Sequence, residues 1–146
     1  MALGQVADSN AIFLKSKGRW EYPVEYITGV DYYDKRKHIA DSGPNNYDVT
    51  FFSDSPRVVH SVFDGRVILV NPYDDVFMVV VKYGDYFLSY TNLLNPLVKK
   101  GDTVKANQPI ASMGLDLDGK FAVEMQLSGS IKSNIDIFPW FKKSIH

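Results

Sequence analysis

Three histidines, His38, His60 and His146, are the only imidazoles in this chain of 146 residues, and no cysteine accompanies them. Without cysteine there is no disulfide, no zinc ribbon and no thiolate nucleophile. A catalytic zinc needs about three convergent protein ligands and one open position. The histidines are scattered instead: His38 falls in a polar stretch ten residues before Asp48, His60 within a strand-like run, and His146 at the last position. Each reads as a packed or solvated side chain. Ser61, Ser89 and Ser112 lack the Gly-x-Ser-x-Gly setting of a serine hydrolase. Asp116-Leu117-Asp118-Gly119 begins like a calcium loop but lacks the remaining spaced oxygens, so it reads as a polar turn. Asp48 is left as a carboxylate without evident companions.

The elements that must position these residues are strands. Arg57–Phe63 is rich in β-branched residues, Asp64-Gly65 is a hairpin-turn signal, and Arg66–Val70 reads as the return strand. Val76–Val81 is an apolar run of strand length, Gly84-Asp85 makes a turn, and Tyr86–Tyr90 returns. Phe121–Leu127 reads as a further strand. The expected core comprises Val59, Val67, Leu69, Val79, Val81, Leu88, Val104, Ile110 and Val123. Residues 31–47 form a long polar loop, of a length often tied to function. Residues 1–12 read as a flexible lead-in, and residues 13–146 as a single domain. No amphipathic helix longer than two turns is evident. Close-set strands with Gly and Asp turns give an all-β fold, here two antiparallel sheets.

Composition narrows the function classes. The chain is 45% hydrophobic with a formal net charge of −1, which is globular and offers no field for nucleic acid or an acidic membrane. Lys99-Lys100 and Lys142-Lys143 read as solvated pairs. No apolar run reaches the roughly 18 residues of a spanning helix. The start, Met1-Ala2-Leu3-Gly4, shows no signal-peptide pattern.

Leu97 to Gly114, with Gly101-Asp102, Val104, Asn107-Gln108-Pro109-Ile110-Ala111 and Gly114, resembles the V-x-x-G-D-x-V-x-x-G-Q-x-I-A-x-x-G pattern of barrel-sandwich hybrid domains. Gly101-Asp102 should make a tight turn, Val104 and Ile110 should point inward, Asn107 should replace a glycine of positive φ, and Gly114 should permit a sharp exit. Biotinyl and lipoyl carriers share the pattern, but they need a modifiable lysine, and Val123-Glu124-Met125-Gln126 has none. LytM-type (M23) metallopeptidases share it too, and the likeness extends further. Asn46-Tyr47-Asp48-Val49, Val62-Phe63-Asp64-Gly65-Arg66-Val67, Tyr90-Thr91-Asn92-Leu93, Phe121-Ala122-Val123-Glu124 and Ile135–Phe141 resemble that family's blocks in order. The resemblance implies a duplicated hybrid motif within the all-β fold.

It also implies a site. The active family holds zinc with a His, an Asp four residues later and the second His of a His-x-His, and two further histidines act on the bound water. At the matching ligand positions stand Pro44, Asp48 and Ala122; at the catalytic positions stand Lys120 and Asn92. Proline and alanine have no lone pair for a metal, and lysine is protonated near neutral pH. Only Asp48 persists, so the expectation is a pseudo-peptidase with no cofactor. The vestigial groove would be lined by Tyr47, Asp48, Tyr90, Asn92, Lys120 and Glu124, with Lys120 beside Asp48 in place of the metal.

Phe13 to Val24 is similar to the entry segment of EnvC-type murein hydrolase activators, in which a zinc-free LytM domain switches on a cell-wall amidase. Tyr22 takes the place of that group's Trp. The resemblance implies a periplasmic or extracytoplasmic regulator that docks on a peptidoglycan hydrolase. Two other readings stand beside it: a peptidoglycan-binding or structural module using the old groove, and a diverged zinc peptidase with relocated ligands.

Overall fold

The computed structural model describes residues 3–32, 48–130 and 135–143. A helix α1 (Leu3–Lys15) precedes nine strands: β1 (Gly29–Tyr32), β2 (Val49–Ser53), β3 (Val58–His60), β4 (Gly65–Tyr73), β5 (Val76–Tyr83), β6 (Tyr86–Leu94), β7 (Thr103–Val104), β8 (Pro109–Leu115) and β9 (Phe121–Gly129). A 3-10 turn follows at Phe138–Trp140. Every strand pairing is antiparallel, in the order β1-β2-β9-β8-β6-β5-β4-β7, with β3 on β8. The all-β expectation holds. The expected two sheets are joined by hydrogen bonds: β6 pairs with β9 from Tyr86 to Thr91, then with β8 at Leu93 and Leu94. Asn92, at φ 69°, stands at the changeover. Among the described residues no helix is long and apolar enough to cross a membrane.

Alternation in the central strands builds the core. Val49, Phe51, Val79, Val81, Leu88, Tyr90, Val123, Met125 and Leu127 are all buried. Eight of the nine expected core residues are buried, and Leu69 is not: it is 39% exposed. The cause is a bulge at Ile68, where the register passes from Val67↔Val81 to Leu69↔Val80. One extra residue reverses the side-chain parity beyond it.

The Asp64-Gly65 hairpin is a second correction, because β3 pairs with β8 and not with β4. Asp64 Oδ1 instead accepts the Ala106 N–H at 2.8 Å. Gly65 serves close approach, since a Cβ there would lie 2.4 Å from Val81 Cγ1 and 2.8 Å from the Lys82 carbonyl oxygen. Gly114 also differs from expectation. It lies inside β8, where a Cβ would meet the Asn92 carbonyl oxygen at 2.8 Å. Gly101 (φ 98°) and Asn107 (φ 69°) do adopt the left-handed turns read from the hybrid motif, and Val104 and Ile110 are buried.

Helix α1 occupies most of the stretch read as a flexible lead-in. Long-range contacts hold it. The Asn10 side chain accepts the Asp85 N–H and donates to Asp85 Oδ2, both at 2.8 Å. Phe13 is 1% exposed and packs among Trp20, Phe63, Tyr83, Tyr86 and Trp140. Trp20 forms a parallel bridge with Phe141, so the aromatic cluster joins the first and last described segments. Trp20 and Tyr22 thus pack the N-terminal segment onto the sheet.

Candidate functional site

Strands β2 and β9 divide their side chains between two faces. Val49, Phe51, Val123 and Met125 enter the core, whereas Thr50, Phe52, Glu124 and Gln126 line a half-buried opposite face. β6 adds Thr91 opposite Glu124 and Ser89 opposite Gln126. Asp48, one residue before β2, continues the parity of Thr50 and reaches the same face. Its side chain hydrogen-bonds to Glu124.

That contact sets the electrostatics. Burial, then the hydrogen bond that protonated Glu124 donates to Asp48, then the charge of Asp48 push the Glu124 carboxyl up to about 7. Two carboxyl groups this close resist holding two charges, so the pair retains a proton near neutrality. The expected companion of Asp48 is elsewhere. Continuing the register, Asp48 faces position 126, and Lys120 lies six residues away along β9, roughly 20 Å at strand spacing. Lys120 is exposed, with its ammonium 5.7 Å from the centroid of the Phe52 ring and its N–H donated to Asp116 Oδ1.

The other expected positions carry structural tasks. Asn92 donates from Nδ2 to the Ala122 carbonyl at 2.9 Å. Asparagine tolerates its left-handed backbone well. Ala122 is 2% exposed and faces Phe52 across the sheet. Tyr90 is a correction: its ring points into the core at 0% exposure, and its hydroxyl accepts the Val62 N–H at 2.9 Å. Burial pushes its hydroxyl up to about 12, against the opposing hydrogen bonds from Val62 and Ser61. A side chain so enclosed cannot line a groove. Pro44, Tyr47, His38 and His146 lie outside the described residues.

His60, at the end of β3, which pairs with β8, has Nδ1 3.2 Å from the Pro23 carbonyl oxygen. Asp116 Oδ1 accepts the N–H groups of Asp118 and Lys120, which makes the polar turn read from the sequence. Among the described residues no group of three or more His, Cys, Asp and Glu side chains is placed to hold a metal ion. The described side chains therefore do not fit a three-ligand catalytic zinc. Sequence reasoning named Asp48 and Glu124 separately and missed their pairing, along with Thr50, Ser89, Thr91 and Gln126 beside them. The signal was present in the period-two alternation of β2, β6 and β9.

The model of peptidase family M23 matches residues 45–133. A search of curated proteins finds no match. Among solved structures, the chain is similar to Helicobacter pylori Csd3, at TM-score 0.65 and 21% identity over 90% of this chain and 39% of that one. It is similar to a structure of the SpoIIQ–SpoIIIAH pore-forming complex, at TM-score 0.67 and 17% identity over 88% of this chain and 94% of that one. It is also similar to a zinc-containing peptidase from Vibrio cholerae, at TM-score 0.60 and 25% identity over 89% of this chain and 41% of that one. The chain spans about two fifths of the length of Csd3 and of the Vibrio protein.

Proposed function

This chain belongs to peptidase family M23, and we propose that it is a non-catalytic member whose half-buried polar face binds and regulates a cell-wall hydrolase outside the cytoplasm. The observation that carries the reading is the hydrogen bond from Asn92 to the Ala122 carbonyl. Of the two positions it joins, one is a catalytic histidine in the active family and the other a zinc ligand; here an amide holds down the strand instead. Asp48, the one ligand type retained, accepts a hydrogen bond from Glu124, whose carboxyl is pushed up to about 7. What remains on the face is a set of hydroxyl, amide and carboxyl groups suited to recognition. A related fold in complex with a protein, SpoIIQ with SpoIIIAH, supports a partner of that kind. The segment from Phe13 to Val24, with its likeness to EnvC-type activators, supports a hydrolase such as an amidase as that partner.

The test has three arms. Metal analysis of protein purified without chelator is expected to find no stoichiometric zinc, and incubation with purified peptidoglycan no hydrolysis. An amidase incubated with the domain is expected to turn over faster, and Thr91→Glu or Gln126→Glu to abolish the effect without lowering thermal stability. One tightly bound zinc per chain, with activity lost in Asp48→Ala, would overturn the reading. Sedimentation with sacculi and no effect on any amidase would favour the peptidoglycan-binding module instead.

A further inference from the structure

On the other side of β1 and β2 lies a cleft of about 1000 Å³, lined in part by Tyr22, Glu25, Tyr26, Ile27, His60 and Asn107. A smaller cavity of about 390 Å³ adjoins it and shares Glu25, Tyr26 and His60. Val30, also in its wall, faces Phe51, a core residue, so this cleft and the Glu124 face are separated by the thickness of the sheet.

Tyr26 is the unusual residue. Its φ is 56°, in the left-handed region that bulky side chains avoid. A ring held there for packing would be buried, yet Tyr26 is 73% exposed. The Arg57 guanidinium lies 4.9 Å from its centroid and supports one side of it. Arg57 Nε is meanwhile buried with no hydrogen-bond partner. Tyr26 thus combines a left-handed backbone, a cation against one side of its ring and an exposed ring surface.

The rim of the cleft is polar and close to neutral. Glu25 and Arg57 balance in sign, and Glu21 is paired with Lys142 at 2.6 Å. His60 turns Nδ1 to the Pro23 carbonyl, which leaves Nε2 for another contact. An upright aromatic ring with hydroxyl-matching donors and acceptors around it, and no net field, suits a ligand that carries both C–H faces and many hydroxyls. We propose that this cleft binds a neutral saccharide chain, stacked on Tyr26. The site is independent of the hydrolase-docking face.

The probes are chitotetraose and cellotetraose, titrated into the full chain by calorimetry. Saturable binding of at least one is expected. Tyr26→Asn, which suits the left-handed backbone, should weaken it at least about tenfold while the Tm holds or rises. Tyr26→Phe should keep most of the affinity. Asp48→Asn, on the other face, should leave binding unchanged. Four results would overturn the proposal: no saturable binding of either saccharide, tighter binding of a proline decapeptide, loss of binding in Asp48→Asn, or a fall in Tm in Tyr26→Asn, which would make the ring structural. Amidase activation reads the other face, so the two proposals fail separately.

Discussion

Replacing Tyr90 by phenylalanine removes one oxygen atom and tests whether this residue is scaffold or site. The ring stays, so almost no apolar burial is lost. What changes is the Val62 N–H, which now donates to the Tyr90 hydroxyl at 2.9 Å within the core. Deprived of that acceptor and shut off from water, a backbone donor costs about 1–3 kcal/mol. The hydroxyl holds its proton up to about pH 12, so the loss should be the same across the working pH range. For a chain of this size each kcal/mol lowers Tm by roughly 2–4 °C, giving a fall of roughly 2–12 °C. Urea unfolding should show a lower midpoint at unchanged m, because the surface exposed on unfolding is the same. Amidase activation should persist below the new Tm. An unchanged midpoint would mean that Val62 finds another acceptor, and lost activation at unchanged stability would return Tyr90 to the functional face.

Three further expectations follow from contacts described above. Glu124 holds its proton more tightly in the folded state, about 7 against an ordinary 4.5, so its stabilising contribution is complete below about pH 4.5 and is lost as pH rises toward 7; Glu124→Gln should flatten the Tm–pH curve across that window, and an identical curve would refute the Asp48–Glu124 pairing. Phe13→Ala should cost about 3–5 kcal/mol, as for other buried aromatics, and should shift tryptophan fluorescence because Trp20 and Trp140 flank the ring; a loss under about 1 kcal/mol would mean that α1 adds little to the fold. Gly65→Ala should destabilise by about 1–3 kcal/mol through overpacking, since its Cβ would press on Val81 and on the Lys82 backbone; a neutral result, measured by urea denaturation, would show that the β4–β5 ladder gives way.

The legibility of this chain follows the range of the forces involved. Turn chemistry is local, so the left-handed Gly101 and Asn107 could be read from residue type. Parity is local as well, until a bulge intervenes: nothing in Val67-Ile68-Leu69 marks Ile68 as the extra residue that exposes Leu69. Asp64-Gly65 carries a hairpin signal, yet the glycine is required by Val81 and Lys82, partners on another strand. Helix α1 was hidden for the same reason, because Asn10 and Asp85 are 75 residues apart. At the site, family likeness named Asp48, Asn92, Tyr90, Lys120 and Glu124 as groove positions, and Tyr90 is instead buried in the core. Leu88 and Tyr90 share the buried parity of β6, and that alternation was the better guide.

The bridge between Trp20 and Phe141 has a kinetic side. Trp20 donates its N–H to the Trp140 carbonyl at 3.2 Å, and Lys142 donates to the Trp20 carbonyl at 2.9 Å. Closing a loop of this length costs chain entropy of roughly 4 kcal/mol, before any constant term. That contact is expected to form late in folding, after the β4–β5–β6 meander with its local pairings. Once formed, it makes the two ends a single cooperative unit. Release of the Phe13–Trp20 segment removes the wall against which Trp140 and Phe141 rest, and the reverse holds too. In hydrogen exchange the two ends should open together, with one shared protection factor below that of the central strands.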